Sequence, residues 1–172
     1  TLGHILDDYQ RSMASTNRVL DLIDTPIGIS NGTLNIKKQD IVGKIEYKSV
    51  DFNYESRESL FNDFNLVVEA GDTIGIVGST GSGKSTLIKL LLRLYKVNKG
   101  SITIDGIPID QFDLRDLRKC ISLVSQEAYL FHGTVEDNIS YGSNNATARD
   151  LLIATELAEA SDFIEQLPKG YK

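Results

Sequence analysis

Apolar residues at the start of the chain recur at intervals of three, four and seven positions. The pattern runs from Leu2 to about Asp24 and predicts an amphipathic helix with a polar opposite face. We expect Pro26 and Gly28 to end this helix. Its apolar face has two possible partners, the chain's own domain or a surface outside the chain. Residues 26–42 show little periodicity and are interpreted as a linker.

After residue 43 the pattern changes to an alternation of apolar and polar positions, which is typical of half-buried strands. Residues 43–54 and 60–69 follow it, and a slip of phase at Ser49-Val50 indicates a bulge. A third alternation at 101–109 contains the two-residue turn signal Asp105-Gly106 and predicts a hairpin. These segments are therefore predicted to be β-strands.

Two continuous apolar runs, 73–77 and 121–124, are predicted to be buried strands of a parallel sheet. Residues 87–95 have the length and composition of a helix, and 113–118 reads as a short helix capped by Asp113. From Thr134 onward the chain is predicted to be helical, with Thr134 and Asp137 as a capping pair. Strands and helices therefore alternate along the chain, as in an α/β fold.

The segment 78–86 lies between a predicted strand and a predicted helix, and it fits G-x-x-x-x-G-K-[ST] at every fixed position. Glycine permits the backbone to curl and to aim successive N–H groups at phosphate oxygens, and the helix N-terminus adds further donors. A Gly/Ser-rich surface turn that matches by chance is the alternative. The predicted phosphate-binding residues are Gly78, Ser79, Thr80, Gly81, Ser82, Gly83, Lys84, Ser85 and Thr86.

Composition narrows the functional classes further. A net charge of −6 argues against broad electrostatic attraction to nucleic acid or anionic lipid, so no nucleic-acid partner is expected. The single cysteine, Cys120, permits no internal disulfide, and a structural thiol is the favoured interpretation. His4 and His132 are far apart and have no cysteine partners, which gives a zinc site no support. The sequence has no secretory signal pattern and no apolar run approaching the length of a membrane span.

Five ordered motifs resemble the nucleotide-binding domain of an ATP-binding cassette (ABC) transporter of the exporter type. Residues 2–25 resemble the last cytoplasmic part of the membrane domain and its linker, so the resemblance spans essentially the whole chain. The five motifs are Phe52-Asn53-Tyr54, the phosphate loop 78–86, the K-G-x-I…D-G hairpin at 99–106, Gln126 in the position of the Q-loop glutamine, and residues 130–139, which follow L-F-x-G-T-[IV]-x-[DE]-N-I.

The resemblance implies a P-loop NTPase (RecA-like) α/β core with an antiparallel β subdomain and the start of a helical subdomain. It divides the chain into a membrane-domain-proximal helix at 1–25, a linker at 26–42 and a truncated nucleotide-binding domain at 43–172. Within the last segment, the β subdomain and P-loop core are expected at about 43–128, and the start of the helical subdomain at about 129–172.

The resemblance also implies individual roles in binding ATP or ADP with Mg²⁺. Tyr54 would stack on adenine, although its position also suits an ordinary core aromatic residue of a strand. Lys84 would neutralise the β and γ phosphates, and the Ser85 hydroxyl would bind magnesium. Gln126 would reach the magnesium ion or the attacking water, although a solvated loop glutamine is a serious alternative. Lys84 and Gln126 are the candidate catalytic residues, and Ser85 and Gln126 the candidate metal ligands.

Powering export across a membrane is the function that the resemblance implies, with the domain at the cytoplasmic face of the membrane. Its expected partners are nucleotide, the transporter's transmembrane domain and a second nucleotide-binding domain. A binding module without catalysis and an ABC-type ATPase without a transport role are the alternatives, and a P-loop kinase fits less well.

Two family segments, L-S-G-G-Q and an apolar run ending in Asp-Glu, are not among these 172 residues. We therefore expect the chain to be the N-terminal portion of the domain, to bind nucleotide weakly and to hydrolyse it only at background rates. The Asp-Glu strand lies beside the phosphate-loop strand in the family. An unpaired apolar sheet edge, prone to self-association, is therefore also expected.

Overall fold

The computed structural model describes residues 2–25, 28–55, 58–143 and 145–172, without the side chains of Leu2 and Ile5. The chain forms two compact units, one ending at Ser122 and the other comprising Leu123–Lys172.

The first unit begins with helix α1, Leu2–Ile23, as the periodicity predicts. All of its described side chains are exposed, including apolar ones such as Tyr9 and Leu22, which are 63% and 75% exposed. The helix therefore does not bury its apolar face on the described part of its own unit. Of its predicted stop residues, Pro26 lies outside the described residues, and Gly28 follows the end of the helix. No helix in the described ranges combines the length and apolar character needed to cross a bilayer.

Residues 28–36, which we call the strap, are hydrogen-bonded to a distant part of the first unit. Leu34 forms a parallel bridge with Phe112: its N–H donates to the Gln111 carbonyl at 2.8 Å, and its carbonyl accepts from the Asp113 N–H at 2.8 Å. Gly32 lies so close to this segment that a Cβ there would stand 2.3 Å from the carbonyl oxygens of Gln111 and Phe112. The strap lies within residues 26–42, which the sequence predicts to be a linker, and these contacts hold it against the segment 111–113.

The sheet of the first unit consists of the strands β1 Ile45–Phe52, β2 Phe61–Val68, β3 Lys99–Ile104 and β4 Ile107–Pro108. It is wholly antiparallel, with strand order β2-β1-β3-β4. The register shifts between Tyr47 and Val50, and Ser49 has φ of +46°, which confirms the predicted bulge. The Asp105 side chain accepts from three successive backbone N–H groups, all at 2.9 Å, and so joins the β3–β4 turn to the start of β1.

Two helices, α2 Lys84–Leu91 and α3 Leu114–Cys120, supply part of the core of this unit. The Tyr47 hydroxyl donates to the Leu87 carbonyl at 3.0 Å and so ties β1 to α2. The predicted Asp113 cap of α3 is confirmed, because its carboxylate accepts from the N–H groups of Arg115 and Asp116. The most deeply buried side chains are Val50, Leu90, Phe112 and Leu117.

The predictions of buried strands at 73–77 and 121–124 are wrong for this structure. Neither segment is hydrogen-bonded into a sheet within the described residues. Val77 is 93% exposed and Val124 is 97% exposed, although Ile121 is half-buried against the core. An apolar run becomes a buried strand only when neighbouring strands and covering helices lie against it, and composition alone does not supply these partners.

The second unit contains the helices predicted after Thr134. Thr134 with Asp137, and Thr147 with Asp150, form complete capping boxes, which confirms the first pair. The helices are α4 Val135–Ser140, α5 Ala148–Leu157 and α6 Ser161–Glu165.

Candidate functional site

Residues 78–86 of the first unit, the phosphate loop, comprise a curved turn at 78–83 and the first residues of α2, 84–86. Gly83 caps the helix with φ of +92°, and a Cβ there would lie 2.7 Å from the Phe61 ring. Gly81 has φ of +86°, which also favours glycine, but open space surrounds its missing Cβ. A Cβ on Gly78 would meet the Ser82 hydroxyl at 2.6 Å. Backbone conformation or close packing therefore explains each of the three glycines.

The loop presents backbone donors that the described part of the chain leaves unpaired. Two N–H groups bond locally, that of Ser82 to the Ser79 carbonyl at 3.2 Å and that of Thr86 to the Gly83 carbonyl at 2.9 Å. Unpaired donors at a helix N-terminus, together with the positive end of the helix dipole, favour an anion. The N–H groups without an acceptor among the described residues are those of Gly78, Ser79, Thr80, Gly81, Gly83, Lys84 and Ser85.

The Lys84 side chain folds back across the same loop. Its ammonium donates to the carbonyls of Gly78 at 2.9 Å and Ser79 at 2.8 Å. Across the described ranges, Lys84 has no carboxylate within ion-pair distance. The loop is therefore cupped around a positive charge that only neutral carbonyls balance, and phosphate oxygens would satisfy this charge better.

Ser85 and Thr86 follow the lysine and are used differently. Ser85 is exposed, and its hydroxyl makes no hydrogen bond to the described residues. Thr86 is 6% exposed and shares a hydrogen bond of 3.0 Å with the Tyr54 hydroxyl. The serine hydroxyl is thus available to a metal ion, whereas the threonine hydroxyl is engaged.

Tyr54 lies two residues beyond the end of β1 and is half-buried beside the loop helix. Its ring packs edge-to-face against Phe52 and Tyr95, with ring centroids 5.0 Å away in both pairs. The structure therefore brings the predicted adenine-binding residue to the phosphate loop. Tyr95 was not predicted to be a neighbour of Tyr54, because it follows α2 in a segment that carries no motif.

Gln126 belongs to the second unit, where it is exposed and lies in a bend after 121–124. The neighbouring Ser125 hydroxyl donates to the Glu127 carbonyl at 2.6 Å. The proximity of Gln126 to the phosphate loop stays a prediction.

The motif at 130–139 has a structural explanation within the second unit. The Asn138 side chain accepts from the Phe131 N–H at 2.7 Å and donates to the Phe131 carbonyl at 3.0 Å. Its amide nitrogen also donates to the Thr134 carbonyl at 2.8 Å. One asparagine therefore closes the turn that precedes α4.

A cavity of about 560 Å³ lies elsewhere in the first unit, between the strap, the end of α2 and the β3–β4 hairpin. Its wall includes the buried Arg93, whose guanidinium donates to the carbonyls of Phe112 at 2.9 Å and Ser30 at 2.6 Å. None of the residues 78–86 lines it. Because these carbonyls engage the guanidinium, we assign Arg93 a structural role in fixing the strap.

Comparison with known proteins points to the same family as the motifs. A family model described as ABC transporter matches residues 61–171. An ATP-dependent lipid A-core flippase of Legionella pneumophila (strain Paris) is 44% identical over 171 residues, which is 99% of this chain and 29% of the flippase. ABC transporter B family member 3 of Dictyostelium discoideum is 47% identical over 141 residues, covering 81% of this chain and 10% of that protein.

A solved structure gives the same result. A bacterial Atm1-family ABC exporter with ATP bound superimposes with a TM-score of 0.85 at 30% identity, over 99% of this chain and 30% of the exporter chain. The chain thus spans under a third of the length of these relatives. The predicted resemblance to exporters and the P-loop NTPase fold class are both confirmed. The chain belongs to the ABC transporter family.

Proposed function

We propose that this chain binds Mg-ATP or Mg-ADP at residues 78–86, as part of a domain that powers export across a membrane. One observation carries the proposal: seven N–H groups without an acceptor in the described part of the chain share one cupped loop with the Lys84 ammonium. A phosphate tail has many acceptor oxygens and several negative charges, so it matches this set of donors.

Individual side chains of the site match the phosphates, the magnesium ion and the base of such a ligand. On binding, the Lys84 ammonium would exchange the carbonyls of Gly78 and Ser79 for β- and γ-phosphate oxygens. The exposed Ser85 hydroxyl would hold the magnesium ion, which neutralises phosphate charge when bound. Tyr54 would stack on the base, and Gln126 is proposed as a second magnesium or water contact.

Hydrolysis requires a group that orients and deprotonates the attacking water. The 172 residues include neither the L-S-G-G-Q segment nor an apolar run ending in Asp-Glu. We therefore propose nucleotide binding for this chain, with hydrolysis no faster than background. ATPase turnover that Lys84→Ala abolishes would contradict this part of the proposal.

The proposed partners follow from family membership and from α1. The relatives are named as transporters, a flippase and an exporter. The apolar side chains of α1 are exposed, as expected of a helix whose partner is the transmembrane domain of the same transporter. A second nucleotide-binding domain and a position at the cytoplasmic face of a membrane complete the proposal. No nucleic-acid partner is proposed, in keeping with the net charge of −6.

Calorimetric titration of the chain with Mg-ATP tests the proposal, with Lys84→Ala as the probe. Lys89→Ala is the matched control, because it removes the same charge from an exposed position of the same helix. Lys84→Ala loses charge-assisted hydrogen bonds, so its Mg-ATP affinity should fall by about ten- to a hundredfold. The affinity of Lys89→Ala should stay near that of the unsubstituted chain. No saturable binding by the folded chain, or equal losses in the two variants, would overturn the proposal.

A further inference from the structure

We propose that Thr86 and Tyr95 are positioning residues, which hold the Tyr54 ring where it can stack on a nucleobase. The base-binding and phosphate-binding parts of the site are then joined by the hydrogen bond between the hydroxyls of Tyr54 and Thr86. This inference rests on the proposed nucleotide-binding function and adds two residues to its base-binding part.

Thr86 is a rigid anchor for the tyrosine. It is 6% exposed in the first turn of α2, and its N–H donates to the Gly83 carbonyl at 2.9 Å. A threonine in a helix populates mainly two χ1 rotamers, so its hydroxyl oxygen has few available positions. The Tyr54 hydroxyl lies 3.0 Å from that oxygen. One end of the tyrosine is thereby fixed to the helix that carries the phosphate loop.

Two other aromatic rings pack against the ring of Tyr54. Tyr95 meets it at an interplanar angle of 87°, and Phe52 at 80°. Phe52 is 3% exposed in the core, whereas Tyr95 is 42% exposed. Edge-to-face contacts with two neighbours restrict rotation of the ring. Phe52 is part of the core in any case, so the dispensable contact is Tyr95.

These contacts matter because Tyr54 lies outside the sheet. Strand β1 ends at Phe52, so no strand hydrogen bond fixes the backbone of Tyr54 in β1. A free ring would lose conformational entropy when a base stacked on it, and this loss would weaken binding. A ring already held by Thr86 and Tyr95 loses less. Removing either contact should therefore weaken the binding of a ligand that has a base and leave the binding of a ligand with only phosphates unchanged.

The test compares Mg-ATP with magnesium tripolyphosphate, which has the phosphates but no base. Tyr54→Phe keeps the ring and removes the hydroxyl, and it should weaken Mg-ATP binding by about three- to tenfold. Tripolyphosphate affinity should stay within about twofold of the unsubstituted chain, because phosphate contacts are unchanged. Tyr129→Phe, at an 80% exposed tyrosine of the second unit, is the matched control and should change neither affinity.

Two further variants separate positioning from general stability. Tyr95→Leu should show the same selective loss for Mg-ATP with a thermal unfolding transition like that of the unsubstituted chain. The double variant Thr86→Val/Tyr54→Phe should lose less Mg-ATP affinity than the product of the two single fold-losses. The reason is that the two hydroxyls are hydrogen-bonded to each other, so each single variant already breaks the same bond.

The outcomes distinguish this inference from the function on which it rests. If the folded chain binds neither Mg-ATP nor tripolyphosphate, the proposed function fails. If the folded chain binds both ligands, and Tyr54→Phe leaves the Mg-ATP affinity unchanged or lowers both affinities equally, positioning by Thr86 is overturned. The proposed phosphate site then still stands. Unchanged Mg-ATP binding by folded Tyr95→Leu overturns the role of Tyr95.

Discussion

The strap and the phosphate loop are both irregular segments of the first unit, yet they use their polar groups differently. In the strap, Leu34 bonds through both its N–H and its carbonyl, and the Ser30 carbonyl accepts from the buried Arg93. In the loop, the N–H groups of Gly83 and Lys84 have no acceptor within the described ranges. Polar groups satisfied inside the chain stabilise the fold, whereas donors left open in a curved loop are available to a ligand.

Glycine marks both segments, again for different reasons. Gly32 lets the strap backbone approach two carbonyl oxygens, and Gly83 lets α2 begin against the Phe61 ring in a left-handed conformation. Gly81 has the same left-handed conformation, but its missing Cβ faces open space. The comparison therefore predicts which substitutions affect the stability of the fold and which affect ligand binding.

Leu117→Ala should have the largest effect on stability, because Leu117 is fully buried in the core on which the strap segment packs. Removing such a side chain leaves a cavity and costs about 2–5 kcal/mol of unfolding free energy. Leu94→Ala, at a leucine that is 44% exposed, is the matched control and should cost far less. Urea unfolding measures both. Equal losses of unfolding free energy in the two variants would contradict the burial of Leu117 in the core.

Gly83→Ala should come next and should separate packing from backbone conformation. A non-glycine residue at positive φ costs about 1–2 kcal/mol. At Gly83 the new Cβ would also meet the Phe61 ring at 2.7 Å, and such overpacking adds about 1–3 kcal/mol. Gly81→Ala is the control, because its Cβ meets nothing within 4 Å. Thermal unfolding of the two variants should therefore differ, and identical midpoints would contradict the close packing at Gly83.

The phosphate loop could be predicted from the sequence because its chemistry is local. The three glycines, Lys84 and Ser85 lie within eight consecutive residues, so spacing alone predicts a phosphate cradle. The bulge at Ser49-Val50 and the capping boxes were predictable for the same reason.

The strands predicted at 73–77 and 121–124 show where local pattern fails. Both runs contain β-branched residues, as β1 does, but only β1 has neighbours that pair with it. The fixed strap was also missed, because Asn31 bonds to residues more than 80 positions away. Contacts of this kind depend on how distant segments fold together, and no sequence spacing encodes them.

Arg93→Gln tests the strap directly. The substitution should leave the Phe112 and Ser30 carbonyls without their charged donor and cost about 1–3 kcal/mol of unfolding free energy. Arg115→Gln is the control, since the Arg115 side chain is exposed and makes no hydrogen bond within the described ranges. Chemical denaturation measures both. Nucleotide affinity should be unchanged in folded Arg93→Gln, and an unaltered stability would show that the strap is not held by this side chain.

The smallest expected effect is a pH dependence of stability from the strap and α3. A hydrogen bond from the Asn31 side chain, followed by one from the Asp116 N–H, lowers the pKa of Asp113 below its ordinary 3.8. The pKa of Asp116 is lowered first by the Asn35 side chain and then by Lys119. The folded chain therefore binds these protons more weakly than the unfolded chain. The stability they contribute is present above about pH 4 and is lost as pH falls through the lower folded pKa values.

Measuring the unfolding free energy from about pH 6 to about pH 2, the range in which carboxyl groups titrate, checks this prediction. The unfolding free energy should decline less steeply in the double variant Asn31→Ala/Asn35→Ala than in the unsubstituted chain. Asn145→Ala, at an exposed asparagine of the second unit, should keep the slope of the unsubstituted chain. An equally steep decline in the double variant would mean that the strap amides do not lower these pKa values.

The central claim is that the open N–H groups of the loop receive the phosphates. The most direct measurement is an amide NMR titration of the isotopically labelled chain with Mg-ADP. We expect the largest amide shifts at Gly81, Gly83, Lys84 and Ser85, while strap amides such as that of Leu34 keep their chemical shifts. Saturable binding that moves other amides and leaves those four unchanged would contradict it.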